Sequence, residues 1–383
     1  MSKKKRTLKA GNANLQELIP KLRFPEFRDA GAWEKKPISK LLTIGSGKDY
    51  RHLSNGDIPV YGSGGYMLSV DDYLCDGESV CIGRKGTIDK PLFLKDKFWT
   101  VDTLFYTHSF KACLPIFIYL TFQNINWLNY NEAGGIPSLS KTTIGKIKIP
   151  IPLRHEQRKI ADCLSSIDKL ITAQTQKIET LKAHKKGLMQ QLFPAQGETV
   201  PKLRFPEFRD AGAWEEKPLR DISFSISSGK DKKSYSGKYD LFGSTGIIGA
   251  TSTASFDGKY ILVARVGANA GLLTKVNAKF GVTDNTLVIC LHQTVNIEFI
   301  FSSLERFGLN KLIFGSGQPL ITGRQLKDVS LRLPDGAEQQ KIADCLSSFD
   351  KLITAQAHKL DSLKSHKKGL MQQLFPSTEE VNE

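Results

Sequence analysis

The 383-residue chain has no apolar run that reaches the ~18 residues of a membrane span. Lys3, Lys4, Lys5 and Arg6 are not followed by the apolar stretch of a secretory signal either, so a soluble, cytoplasmic protein is expected. Cysteine is sparse and poorly spaced for chemistry. Of the six, Cys163 and Cys345 are one helix position seen twice, and Cys75, Cys81, Cys113 and Cys290 show no C-x-x-C spacing. Reduced thiols are expected, with neither a disulfide frame nor a zinc site.

Catalytic signatures are missing as well. GSGKD at Gly45 and SSGKD at Ser227 look like fragments of a phosphate loop, yet Leu42 and Phe224 stand where its first glycine belongs. Asp49 and Asp231 then replace the Ser or Thr that would hold magnesium. Gly62, Gly64 and Gly65 do not have G-x-G-x-x-G spacing, and no Asn-Pro-Pro or Asp-Pro-Pro element of an amino-methyltransferase is found. His184 and His366 are one repeated helix position beside lysine pairs, which reads as a solvated face rather than a base or metal ligand. No convincing nuclease constellation of paired carboxylates with a lysine stands out. A non-catalytic chain without metal or cofactor is expected.

Positive charge, by contrast, is in excess. A formal net charge of +15 and a pI near 9.4 point to a polyanionic partner, with a merely basic surface as the plain alternative.

The chain is also duplicated. KLRFPEFRDAGAWEKKPI from Lys21 returns as KLRFPEFRDAGAWEEKPL from Lys202, and the stretch Glu156 to Pro194 returns as Glu338 to Pro376 with 31 of 39 positions identical. A period of about 181 residues is too long for a solenoid, so the unit is a short leading motif, a variable body and a helix, used twice. Apolar residues four and three apart mark a seam: Ile160, Leu164, Ile167, Ile171, Ile178 and Leu181 in the first helix, Ile342, Leu346, Phe349, Ile353, Leu360 and Leu363 in the second. Gln174 and Gln356 are the one uncharged polar residue on each. No Gly or Pro interrupts either run before Gly187 and Gly369, which predicts helices of about 33 residues and roughly 50 Å.

Each body reads as β-rich. Ser79 to Ile82, Leu104 to Thr107, Tyr260 to Ala264 and Thr286 to Cys290 are short strand candidates, separated by glycine-rich loops. Pro115 to Leu128 and Asn296 to Leu312 have the spacing of core helices. The resulting division is a basic arm at 1–20, a first body at 21–153, a helix at 154–194, a second body at 195–334, a helix at 335–376 and a tail at 377–383.

Helices that stay the same while bodies diverge imply one scaffold carrying two different readers. Cations shared by both copies, Lys48 with Lys230 and Arg84 with Arg265, are candidates for holding a phosphate backbone common to any site. Arg84 and Arg265 have a second reading, as partners of a carboxylate inside the fold. Loop residues that differ between the copies, Arg51, Lys85, Lys141, Lys233, Gln318 and Arg324, are candidates for base contacts, and Asn269 joins them. For any one of them a solvated loop charge is the plain alternative.

KLRFPEF followed by Trp33 or Trp214, a diverged body, then EQxxIAxxLSSxDKLI and KKGLMQQLF, resembles the DNA-specificity subunit of a Type I restriction-modification system over nearly the whole chain. The resemblance implies an α+β fold of two tandem β-rich target-recognition domains, each reading one half of a split, asymmetric DNA site. Two long helices, packed as an antiparallel coiled coil about a pseudo-two-fold, would space them. It also implies two modification subunits carrying S-adenosylmethionine, and restriction subunits using ATP and magnesium; the chain itself would do no chemistry. With a two-fold near Gln174 and Gln356, Asp162 is expected near Lys367 and Lys368, and Asp344 near Lys185 and Lys186. The alternatives are a coiled-coil scaffold whose bodies bind protein, or a stand-alone nuclease or methyltransferase.

Overall fold

Residues 18–313 and 319–376 are described in the computed structural model of the chain. Most of the expected basic arm, the tail and Gln318 lie outside them. The chain divides into two compact units, one made of everything up to Gln174 together with everything from Lys359 onward, the other of Thr175–His358. Each unit therefore holds one body and one half of each long helix.

In the first unit a turn at Pro25–Phe27 leads into β1 (Glu34–Pro37), α1 (Ile38–Leu41), β2 (Thr43–Ser46), β3 (Asn55–Gly62), β4 (Gly65–Val70) and β5 (Cys75–Asp76). The body continues through β6 (Ser79–Gly83), β7 (Leu92–Leu94), β8 (Lys97–Thr100), β9 (Leu104–His108), α2 (Pro115–Asn124), α3 (Lys141–Lys146) and β10 (Lys148–Ile151). Two four-stranded sheets, in the orders β2-β9-β6-β7 and β4-β3-β8-β5, make up most of it. A separate antiparallel pair joins β1 to β10, with Glu34 opposite Ile151, so the chain enters and leaves the body side by side.

After the first long helix, α4 (Arg154–Leu192), the second unit repeats the plan. β11 (Glu215–Pro218), β12 (Ser223–Ser228), β13 (Tyr239–Gly243), β14 (Gly246–Thr251), β15 (Phe256–Ala264), β16 (Leu273–Val282) and β17 (Thr286–Leu291) precede α5 (Ile297–Phe307), α6 (Gly323–Lys327), β18 (Ser330–Leu333) and the second long helix, α7 (Gly336–Leu374). Here the strands merge into one sheet of order β12-β17-β15-β16-β13-β14, while β11 pairs with β18 as β1 does with β10.

The predicted strands and core helices are present, with α2 and α5 shorter than their apolar patterns. Gly308, at φ 71°, ends α5 in the left-handed conformation that favours glycine, and a short 3-10 turn carries on the apolar pattern. Both long helices exceed expectation: each runs 39 residues, roughly 58 Å, straight through Gly187 and Gly369, since a single glycine costs only about 1 kcal/mol against a helix this long.

Three aromatic rings close each core. Trp33 and Phe117 lie edge to face at 5.9 Å, and Phe375 stacks on Phe117 at 5.4 Å. In the second unit Trp214, Phe299 and Phe193 repeat the set, with Phe193 stacked on Phe299 at 5.2 Å. One ring comes from the leading motif, one from the body helix, and the third from the end of a long helix. Ile160, Leu164 and Ile167 belong to the first core together with Leu374 and Phe375, and Ile342 and Leu346 to the second together with Leu192 and Phe193. The first turns of the seam therefore insert into a body as well as facing a helix. Farther along, Ile178 and Gln174 are buried, while Ile171, Leu181, Phe349, Ile353, Gln356, Leu360 and Leu363 are half-buried.

Within each unit the two helix segments run in opposite directions. In the first, Lys367 meets Asp168 at 2.7 Å; in the second, Lys185 meets Asp350 at 2.6 Å. The expected lysines are used, but not the expected aspartates. Asp162 and Asp344 are exposed, and Asp344 accepts from Gln340 on its own helix instead. Each lysine pairs with the aspartate six residues farther along the partner helix than expected, and in the second unit the His184 ring meets Phe349 at 5.3 Å.

Candidate nucleic-acid interface

The loops at one end of the first body converge because glycine lets them. Gly47 packs so closely on strand β8 and its exit that a Cβ there would overlap the Val101 carbonyl; Gly229 stands in the same relation to the Val282 carbonyl. Lys48 follows directly, its N–H donating to the Thr100 carbonyl at 2.8 Å and its own carbonyl accepting from the Trp99 indole at 2.9 Å. The backbone is fixed while the lysine side chain stays in solvent.

Two adjoining clefts share Asp102 and Thr103. The larger, about 880 Å³, is lined by Arg84, Lys85, Ile136 and Lys141 among others; the second, about 770 Å³, includes Arg51, Tyr66 and Met67. Arg84 leaves β6 with its N–H on the Thr103 carbonyl, and its guanidinium reaches the Asp102 carbonyl at 3.4 Å. Lys85 pairs by its backbone with Ser138, bringing the loop before α3 to the cleft. Lys141 is the first residue of α3, whose N-cap Ser140 accepts from the Thr143 N–H, and its ammonium lies 5.9 Å from the Phe105 ring. Sequence comparison therefore picked four residues that the fold brings together here: Arg51, Arg84, Lys85 and Lys141.

The one acid reaching in from the α3 side is already occupied. Hydrogen bonds from the Thr143 and Ser140 hydroxyls hold the Glu132 carboxyl below the usual range, so it is a structural anion and not a poised base. Burial pushes the Cys81 thiol up to about 12 and the Cys113 thiol up to about 11, which removes both as nucleophiles. Among the described residues no cluster of three or more His, Cys, Asp or Glu is arranged to hold a metal ion.

The second body assembles its candidates less tightly. Arg265 repeats Arg84, with its N–H on the Asn285 carbonyl, its guanidinium toward the Asp284 carbonyl, and its Nε buried without a partner among the described residues. The reading of Arg84 and Arg265 as internal carboxylate partners is not met, since both reach main-chain carbonyls. Val266 bridges to Leu320 as Lys85 does to Ser138. Lys230 and Lys233 are exposed, and the Lys233 stem lies across Gly249 of β14. Arg324 is exposed on α6, whose Thr322 and Gln325 form a capping box. Asn269, in the turn that follows Arg265, lines a cleft of about 450 Å³ with Leu304, Glu305 and Asn310.

Some cations elsewhere on the chain are neutralised by ion pairs, as in Lys159 with Glu26, Arg220 with Asp328 and Lys341 with Glu207. None of the loop cations named above has a carboxylate partner within 4 Å among the described residues.

One pair of sites was not read from the sequence. Glu156, 1% exposed, accepts from Arg23 at 2.7 and 2.8 Å and from the Trp33 indole at 3.2 Å. Glu338 accepts from Arg204 in the same way at 2.7 and 2.6 Å, while the Trp214 indole N–H is buried without a partner among the described residues. That Glu338 bond holds the Arg204 proton more tightly than usual. Beside each clasp a glutamine crosslinks helix to body: Gln157 donates to the Pro152 carbonyl and accepts from the Leu114 N–H, and Gln339 does the same at Pro334 and Asn296. All these residues sit in repeated motifs, which was the available signal.

The profile of the family described as Type I restriction modification DNA specificity domain matches residues 31–183 and again 212–365. The Type I restriction enzyme MjaVIII specificity subunit of Methanocaldococcus jannaschii is 26% identical over 342 residues, covering 79% of this chain and 77% of that protein. The EcoprrI specificity subunit of Escherichia coli is 30% identical over 125 residues, about a third of each chain. Among solved structures, the S subunit of a Type I restriction-modification system from M. genitalium superposes with a TM-score of 0.67 at 16% identity, covering 94% of this chain and 99% of that one. At that identity the likeness establishes the fold alone.

Proposed function

Because the chain belongs to the Type I restriction modification DNA specificity family, both of whose domain copies it carries, we propose that it is the DNA-reading subunit of such a system, each body addressing one half of a split duplex site. The observation that carries this is a set of cations with no carboxylate partner within 4 Å among the described residues: Arg84, Lys85 and Lys141 around one cleft, Arg51 at the next, and Lys230, Lys233, Arg324 and the half-buried Arg265 on the second body. A DNA backbone supplies the anions these loops lack. Arg84 and Arg265, alike in both copies, hold phosphates; the residues that differ discriminate bases.

The two long helices set the distance between the half-sites and offer their outer faces to two modification subunits. S-adenosylmethionine, ATP and magnesium belong to the chemistry of those subunits and of restriction subunits. This chain contributes orientation. No helix among the described residues is long and apolar enough to cross a membrane, and a cytoplasmic location fits the work proposed.

The test is duplex binding by the full chain over a range of salt. Log affinity should fall steeply and linearly with log salt, and Arg84→Ala should flatten the slope by about one while weakening all duplexes alike. Binding that ignores salt and follows a protein partner instead would favour the coiled-coil scaffold.

A further inference from the structure

Both bodies carry a hairpin with an exposed apolar pair at the same place. In the first, β3 turns into β4 through Gly62, Ser63, Gly64 and Gly65, with Gly62 opposite Gly65 and Tyr61 opposite Tyr66. In the second, β13 turns into β14 with Gly243 opposite Gly246 and Phe242 opposite Ile247. Gly65 at φ 112° and Gly246 at φ 94° give each turn the geometry it needs. Next to that glycine come Tyr66 and Met67 in one copy, 63% and 48% exposed, and Ile247 and Ile248 in the other, 58% and 38% exposed.

These side chains are held rather than loose. Met67 lies over Gly62 across the hairpin and Ile248 over Gly243, positions where any Cβ would meet them at about 3.0 Å. The Tyr66 hydroxyl reaches the Ser69 hydroxyl at 3.2 Å, and its ring packs edge to face on Tyr61 at 6.2 Å. Folding does not bury them, and a fixed apolar pair left in water points to a partner surface. The surroundings identify it. The first hairpin tip walls the cleft that holds Arg51, and its Ser63 lies against Gly86, directly after Arg84 and Lys85. The second lies beside the stem of Lys233, the counterpart of Arg51.

We infer that the β3–β4 and β13–β14 hairpins are the elements that enter the DNA major groove, with Tyr66 and Met67 reading one half-site and Ile247 and Ile248 the other through apolar contact with base edges. This rests on the DNA-reading function proposed above and assigns where the reading is done. A two-stranded ribbon fits a groove about 12 Å wide, and thymine offers a methyl group there for an apolar side chain to recognise. Arg51 lines the cleft walled by the first hairpin tip and the Lys233 stem lies on Gly249 of the second, so each ribbon carries a cation beside its apolar pair. The pairs differ between the copies, as residues that discriminate unlike half-sites must, whereas the glycines that aim them do not.

The test is selection of bound duplexes from a library randomised over both half-sites, using the full chain assembled with its modification partners. Tyr66→Ser combined with Met67→Ser should lower the preference at one or two positions of a single half-site by about tenfold, the scale of one lost base contact, and leave the other half-site and the salt slope unchanged. Tyr66→Ile with Met67→Ile, a graft of the other hairpin, should shift the preferred bases at those same positions. Retained preference in both variants overturns the inference, as does a uniform loss with a flattened salt slope, which marks a backbone contact. If the unaltered assembly selects no sequence at all, the DNA-reading function fails first. Both substitutions lie on an exposed tip, and an unchanged melting temperature verifies that the fold is intact.

Discussion

A buried carboxylate paired with an arginine far away in sequence, 133 residues in the first half and 134 in the second, is the most committed residue of each. Glu156 and Arg23 are both almost fully covered, and removing one partner strands the other charge where water cannot reach it. Arg23→Ala or Glu156→Ala is expected to destabilise the first unit by about 3–5 kcal/mol, and Arg204→Ala the second by a similar amount, read as the midpoint shift in denaturant unfolding of the full chain. Loss of less than about 1 kcal/mol in both would mean that the clasp is solvated. Gly47 and Gly229 are as constrained, but their effect belongs to binding as well as stability. Gly47→Ala forces the chain away from the Val101 carbonyl, for about 1–3 kcal/mol of strain, and moves Lys48 with it. Weaker duplex binding should accompany the lowered stability, whereas Gly212→Ala, in the leading motif with open space around it, should change neither.

On the scale of elements, the long helices act as clamps with fixed register. Cysteines introduced in place of Asp168 and Lys367 should crosslink with a short reagent, and so should Lys185 with Asp350, while the pair at Asp162 and Lys367 should not. The reverse result would make Asp162 the partner of Lys367, as the sequence suggests. How far the sequence revealed these elements depends on the range of the physics involved. Helix existence, strand runs and the twofold plan rest on local periodicity and on a repeat visible in one chain, and they were legible. The choice of Asp168 and Asp350 as ion-pair partners was not, because it depends on tertiary packing, in which Phe375 docks on Trp33 and Phe117 and Phe193 on Phe299, all distant in sequence. The Arg23–Glu156 clasp was illegible for the same reason, although both residues were in plain view within repeated motifs. Comparing the copies found four of the cations around the paired clefts, whereas Asn269 lines a different cleft beside α5. The hairpin pairs escaped notice because exposure, which sets them apart from core residues, is invisible in a pattern of apolar letters.

For the whole molecule, the account assigns three separable properties to three separable parts. General affinity comes from an excess charge of +15 and falls with salt. Half-site preference comes from each body by itself. Spacing comes from the helices, so inserting about four residues, one turn, into α4 should alter the preferred gap and leave both half-sites as they were. The most direct measurement is a genome-wide map of modified adenines in cells expressing the chain with its modification partners, before and after residues 38–150 are exchanged for those of a different first body. The account predicts a bipartite motif in which the exchange changes one half and keeps the other half and the gap. A motif that changes in both halves, or one that is contiguous from the start, would contradict it.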